Sequence, residues 1–190
     1  MLALAALTPL IGLAALALAA RNIQNARELA RNKATIDLIE KRESTAHYRM
    51  INERFSDLRR GKGFTHLNSP TDEDKSDREA VVDYLNHYEL VAIGIQQKLL
   101  DTKLYRAWME GAFVRDWNAA AEWVQRERWK ANEDGSWTYR ASILQNYQKV
   151  ALSWSAQAIA LDATDGPPTT PAGPGDEPLP EPIDLIDLGN

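Results

Sequence analysis

The sequence predicts an all-α protein in which an N-terminal transmembrane helix continues into a stalk helix, followed by a small helical bundle and a disordered tail. Three observations predict this. The first twenty residues carry no charge, apolar residues then recur at helical spacing, and proline and glycine dominate the end of the chain. The predicted divisions are the transmembrane helix 1–20, the stalk helix 21–60, a loop 61–75, the bundle 76–161 and the tail 162–190.

The uncharged segment, MLALAALTPLIGLAALALAA, is long enough to cross a bilayer, because twenty helical residues span about 30 Å. The basic residues that follow are Arg21, Arg27, Arg31 and Lys33. By the positive-inside rule they place the body in the cytoplasm and the amino terminus outside, as a single pass through the inner membrane. Two alternatives remain: a cleaved signal peptide with a periplasmic body, since Ala17-Leu18-Ala19 resembles a cleavage site, and a buried hairpin helix of a soluble core, although such a helix rarely stays uncharged for so long.

The stalk is predicted as one helix from Arg21 to about Leu58, because it contains neither proline nor glycine before RRGKG. Its apolar residues fall at near-heptad spacing, interrupted by Asn32 and Glu43. Self-association along this seam as a homo-oligomeric coiled coil and ordinary packing therefore both stay open. A cleaner stripe at the far end predicts docking on the bundle: Tyr48, Ile51, Phe55 and Leu58.

The bundle is predicted to contain helices alone. A capping-box pattern, Ser76 to Glu79, starts a helix from about Asp77 to Leu100. Asp101 then caps a short helix, and Gly111 separates it from a tryptophan-rich one. A turn at NEDGS precedes a last helix from about Tyr139 to Leu161, and no strand pattern is strong enough to name.

The acidic charge of the chain is concentrated in its tail. Of 27 acidic residues, seven follow Leu161, which leaves 20 against 22 basic residues in the body. A body so close to neutral offers no basic face, so we expect no nucleic-acid partner. The tail ends in EPIDLIDLGN, where acidic and apolar residues alternate as in short docking motifs. The expected partners are the lipid bilayer and a protein of unknown identity, with the tail as either a docking motif or a solvated extension.

The residue types exclude several chemistries. Without cysteine there are no disulfides, thiolate metal sites or cysteine nucleophiles. His47, His66 and His87 show no metal-ligand spacing, and GKGFTH lacks the strand that a phosphate-binding loop requires. The sequence therefore predicts no cofactor, no metal and no catalytic residue of a familiar motif.

The segment Val81–Asp101 sets polar residues into an apolar helix. At 100° per residue Asn86 and Glu89 share a side with apolar neighbours, which predicts that both are buried, whereas His87 shares its side with Asp83 and Lys98 and should face solvent. A buried carboxylate needs a partner. The candidate partners are the arginines Arg115, Arg126, Arg128 and Arg140.

The stretch LNHYELVAIGIQQKLLDTKLYRAWMEG, with VRDWNAAAEWVQRER after it, resembles the DUF4760 family of small bacterial and phage proteins. The residues that carry the resemblance are Leu85, Asn86, Glu89, Asp101, Trp117 and Arg126 or Arg128. The likeness covers about Ala26 to Ala131 and implies a membrane-anchored helical protein without an established activity. It also suggests a setting in conflict between phage and host.

These observations favour an interaction or regulatory protein over an enzyme. The enzymatic alternative uses Glu89 as a general acid or base, and it requires a cleft that converges on this carboxylate. The structural alternative requires that the Glu89 carboxylate accepts hydrogen bonds from within the protein.

Overall fold

The computed structural model describes residues 2–68 and 71–168. Five α-helices and one small hairpin follow each other along the chain: α1 (Leu2–Ser44), α2 (Ala46–Arg60), a 3-10 turn (Thr65–Asn68), α3 (Lys75–Gln96), α4 (Thr102–Glu127), β1 (Trp129–Ala131), β2 (Trp137–Tyr139), α5 (Gln145–Trp154) and a second 3-10 turn (Ala163–Asp165). The protein is therefore mostly helical. Most of the predicted tail, residues 169–190, lies outside the described residues.

The predicted stalk is two helices rather than one. Thr45 adopts an extended backbone, with φ −81° and ψ 126°, between α1 and α2. The change of direction lets the end of α1 and the middle of α2 face the same core. Ile51, Phe55 and Leu58 of α2 are buried, as their spacing predicts.

Among the residues of α1 whose side chains are described, those in the last turns contact the bundle. Residues 15–30 are all exposed, whereas Thr35 and Arg42 are buried and Ile39 packs against the core. Leu29, which belongs to the near-heptad seam, is 71% exposed. Within the part of the chain that the structure describes, no helix is both apolar enough and long enough for a membrane crossing.

Gly111 does not divide α4, contrary to the prediction. The helix runs unbroken from Thr102 to Glu127, and Asp101 caps it by accepting a 2.7 Å hydrogen bond from the backbone N–H of Leu104, as predicted. A glycine inside a helix costs about 1 kcal/mol. Burial of Met109, two residues before Gly111, and of Phe113, two residues after it, outweighs this cost.

A hairpin stands where the sequence predicted only a turn. Strands β1 and β2 pair antiparallel around the NEDGS turn, and Trp129 lies opposite Tyr139 with ring centroids 5.0 Å apart. Gly135 takes φ +79° in this turn. Strands of three residues are too short to show the alternating pattern of a β-strand, so the sequence did not predict this pairing.

The last helix is much shorter than predicted. It ends at Trp154, and the chain then makes a turn at residues 156–157 and continues along α4 without regular secondary structure, although Ala158 and Leu161 remain buried. Side chains of α4 hold this segment: Trp117 Nε1 donates to the Ile159 carbonyl at 2.8 Å, and Asn118 bonds both the Gln157 carbonyl and the Ile159 N–H. These long-range bonds replace the helical ones.

Candidate functional site

Glu89 lies in the core and caps a neighbouring helix. The residue is 6% exposed. Its Oε1 accepts hydrogen bonds from the backbone N–H and the side-chain amide of Asn146, at 3.2 and 2.8 Å, and its Oε2 accepts from the N–H of Tyr147 at 2.7 Å. Both backbone donors belong to the first turn of α5, where N–H groups lack partners within the helix. A carboxylate from α3 thus satisfies the start of α5.

The chain needs this help because α5 has no cap of its own. The residue before the helix is Leu144, which adopts a left-handed backbone with φ 52° and has no side chain that accepts hydrogen bonds. The positive end of a helix also stabilises a negative charge placed against it. Glu89 therefore obtains both hydrogen bonds and charge compensation without a cation.

The arginine partner predicted for Glu89 is not observed. Arg115 bonds its neighbour Asp116, Arg126 bonds Glu122 one turn away, and Arg140 bonds the Glu127 carbonyl. The prediction overlooked a helix terminus as a partner, because the sequence placed the start of the last helix six residues too early.

Arg128 anchors the same region through different chemistry. It is 2% exposed, and its Nε and Nη2 donate to the Ile143 carbonyl at 3.0 and 2.8 Å, while Nη1 donates to Gln148 Oε1 at 2.6 Å. Arg128 therefore holds the carbonyl that precedes α5, and Glu89 holds the N–H groups that open it. Of the predicted arginines, this is the one that the structure brings to the start of α5.

Asn86 does not join this site, contrary to the prediction that it is buried. Its side is the edge of α3, where Asn86 and Leu90 are both exposed and Val82 is partly covered. The apolar neighbours that suggested burial, Val82 and Leu90, lie at this edge themselves. Asn86 is therefore exposed and Glu89 is buried, although the two residues are only three positions apart in the sequence.

His87 is buried, and its predicted exposure was wrong. It is 7% exposed, because α2 covers it and brings the Tyr48 ring to 4.9 Å from the imidazole. Among the described residues no hydrogen-bond partner reaches its Nε2. Burial lowers the pKa of His87 to about 4, with further contributions from Arg42 and Lys41, so the ring is neutral at pH 7.

This burial predicts a loss of stability in acid. Below the ordinary pKa of 6.5 the unfolded chain takes up a proton on His87, and the folded chain does so only near pH 4. The free energy of unfolding should therefore fall by about 3 kcal/mol between pH 6.5 and 4 through this residue alone. Denaturant unfolding of wild type and His87→Phe across this range measures the contribution, since phenylalanine keeps the ring but cannot titrate.

The control for this comparison is His47→Ala, which removes an exposed imidazole 3.7 Å from Asp83. Its stability should follow the wild-type pH dependence, and only the His87→Phe curve should be flatter. Parallel curves for wild type and His87→Phe would contradict the neutral, buried imidazole.

A second buried polar cluster joins α1 to the bundle. Arg42 is 9% exposed and its Nη2 donates to the hydroxyls of Tyr88, at 2.8 Å, and Tyr84, at 3.3 Å. Its guanidinium carbon also lies 4.7 Å from the Tyr88 ring centre, within range of a cation–π contact. Burial raises the pKa of both tyrosines, so they stay neutral donors and acceptors.

Asp116 supplies the negative charge of this cluster. It is 1% exposed, and its Oδ2 accepts a 2.7 Å hydrogen bond from the Tyr84 hydroxyl. Arg115 donates to it at 2.8 Å, and Arg59 Nε lies 3.3 Å from its Oδ1. Tyr84 thus links the charge of Arg42 to that of Asp116, and three helices besides α3 contribute to one network.

The hydrogen bonds of Glu89 connect two helices, α3 and α5. Both oxygens of Glu89 face N–H donors, so a substrate would have to displace the start of α5 to reach it. A cleft of about 430 Å³ between α4 and the C-terminal segment is lined by Gln125, Arg126 and Trp129 among others. Glu89 is not among the residues that line this cleft.

Arg42 and Asp116 are buried members of the second polar cluster that the sequence did not predict. Asp116 had a usable signal, since it precedes Trp117 within the apolar stripe of α4. Arg42 had none, because a basic residue in a charged stalk helix resembles its exposed neighbours.

Comparison with known proteins assigns a family. The model of the family described as Domain of unknown function (DUF4760) matches residues 9–154, a longer stretch than the motifs suggested by themselves. No curated protein and no solved structure matches the chain.

Proposed function

Because the chain belongs to the DUF4760 family, whose function is unknown, we propose from its own architecture that it is a membrane-anchored helical protein. Its bundle acts through protein contacts, as an interaction or regulatory component on the cytoplasmic face. One observation carries the proposal: a single helix leads from the uncharged N-terminal segment into the core of the bundle.

The N-terminal half of α1 has the properties of an anchor. Leu13, Leu16 and Leu18 are 64, 68 and 61% exposed, and the exposure of such apolar side chains is costly in water. Twenty uncharged residues match the roughly 30 Å thickness of a bilayer core. The arginines that begin at Arg21 would then lie at the cytoplasmic surface.

The C-terminal end of α1 is attached to the bundle by hydrogen bonds. Arg42 enters the tyrosine cluster, and Thr35 Oγ1 accepts a 2.8 Å hydrogen bond from the backbone N–H of Asp101 at the start of α4. A shift of α1 along its axis would disturb both contacts. Regulation through the anchor is therefore the mode of action that this geometry supports.

The surface of the bundle offers sites for a protein partner. Large apolar side chains are exposed on it, including Leu104 and Trp108, one turn apart on α4, at 37 and 41%. Contiguous exposed apolar patches are typical of contact surfaces, and these two neighbouring side chains are where we propose one. The tail beyond residue 168 is the second proposed contact, by its alternating acidic and apolar residues.

Fractionation of cells that produce the full chain tests the anchor. We expect the protein in membranes after alkaline carbonate washing, and we expect Leu13→Arg with Leu16→Arg to release it, since each arginine costs about 2.5 kcal/mol or more inside a bilayer. Leu29→Arg is the matched control, because it adds a charge to the same helix beyond the proposed span.

A reporter fused after Asn190 completes the test. Activity confined to the cytoplasm would support the orientation, and periplasmic activity with a shortened amino terminus would instead support the cleaved signal peptide. Membrane association that survives the double arginine variant would contradict the anchor.

A further inference from the structure

Three ligand-forming side chains meet between the first 3-10 turn and α3. His66 belongs to the turn, Asp74 stands immediately before α3, and Asp77 lies in its first turn. One ligand atom from each lies within 4.8 Å of the other two. The sequence predicted no metal role for His66, because it stands eleven positions from Asp77 and a poorly patterned loop separates the two residues.

The imidazole of His66 has an unusual environment. Both ring nitrogens are shielded from solvent, and in the described ranges 2–68 and 71–168 neither has a hydrogen-bond partner. Nε2 lies 3.9 Å from Asp74 Oδ1, which is too long for a hydrogen bond. The His66 side chain is 26% exposed, but its two nitrogens are shielded and unsatisfied, which is costly, and a ligand between the ring and the carboxylates would remove that cost.

In each of the two carboxylates, one oxygen accepts hydrogen bonds from a neighbouring residue. Thr71 donates to Asp74 Oδ2 through its N–H, at 3.1 Å, and its hydroxyl, at 2.7 Å, so Oδ1 is the atom that faces His66. Arg54 Nε donates to Asp77 Oδ1. These bonds orient the two carboxylates, and the hydrogen bonds from Thr71 lower the pKa of Asp74.

The spacing of the three atoms suits a small cation. Atoms no more than 4.8 Å apart leave an ion at their centre within about 2.8 Å of each, and a shift of under about 1 Å brings them to the 2.0–2.2 Å of a zinc site. The segment TDEDKSD around Asp74 holds four acidic residues and one lysine, so the local charge also favours a cation.

We propose that His66, Asp74 and Asp77 bind a divalent transition-metal ion of the zinc type, with water in the remaining coordination position. One imidazole and two carboxylates form a suitable donor set for such an ion. The site fastens the loop between α2 and α3, whose Phe64 and Leu67 are buried in the core. Its role is structural, since it joins the turn to the start of α3.

Titration of the purified full chain in detergent with Co²⁺, followed by its visible absorption and by displacement with Zn²⁺, tests the site. We expect one equivalent for the wild type and at least tenfold weaker binding for His66→Ala. The matched control is His47→Ala, because His47 also lies near a carboxylate, that of Asp83 at 3.7 Å, but among the described residues no third ligand joins this pair.

Thermal unfolding gives a second readout. Zinc at about a hundredfold its Kd should raise the Tm of the wild type by roughly 5 to 10 °C over the chelated protein, and should not raise that of His66→Ala. Circular dichroism checks that the variant folds, and Asp77→Asn replaces it if it does not.

The competing interpretation is that the two aspartates only complement the positive end of α3. Absence of a Co²⁺ signal in the wild type, or equal affinities of wild type, His66→Ala and Asp77→Asn, would overturn the metal site in favour of that interpretation. Neither readout depends on membrane association, so this result and the test of the anchor are independent.

Discussion

Replacement of Glu89 by alanine should destabilise the protein by about 3 kcal/mol. The change leaves two backbone N–H groups of α5 and the Asn146 amide without their acceptor in a site that is 6% exposed. Each unsatisfied buried group costs about 1–3 kcal/mol, and the charge at the helix terminus is lost as well. Urea unfolding followed by circular dichroism measures the effect.

Two variants separate this cause from a general effect of mutating α3. Glu89→Gln keeps the shape but turns an N–H₂ group toward N–H donors, so it should cost about 1–3 kcal/mol. Asn86→Ala, one turn away on the exposed edge, should cost under about 0.5 kcal/mol. A neutral Glu89→Ala that abolished a biological activity would contradict the capping role and favour the enzymatic alternative.

Replacement of Asp116 by alanine should be at least as damaging, with a loss of about 3–5 kcal/mol. Asp116 is the carboxylate on which Tyr84, Arg115 and Arg59 converge, and through Tyr84 it balances the buried Arg42. Removing one partner of a buried ionic network leaves an uncompensated charge in the core. The same unfolding measurement applies, and Glu122→Ala serves as its control.

Glu122 is a matched control because it also lies on α4 and also pairs with an arginine, Arg126, at 3.2 Å. Its side chain is 67% exposed, so water screens the pair and its loss should cost under about 1 kcal/mol. Equal losses of stability for Asp116→Ala and Glu122→Ala would mean that the buried Asp116 network stabilises the fold no more than an exposed ion pair does.

The sequence by itself determined the features that depend on local pattern. The mostly helical fold follows from 3.6-residue periodicity, and the burial of Ile51, Phe55 and Leu58 follows from the same rule. The cap at Asp101 follows from the chemistry of one residue and its neighbours. The burial of Glu89 was also predictable, because its flanks along α3 are apolar.

Only the tertiary structure decided which partner each buried group found. His87 is buried because α2 crosses over it, and Glu89 meets α5 because that helix begins at Gln145 rather than at Tyr139. Likewise, α4 holds residues 157–162 in a non-helical conformation although their apolar spacing suits a helix. Periodicity reports which face of a helix is apolar, but the energy of a polar group depends on neighbours that are distant in sequence, and a local pattern contains no information about them.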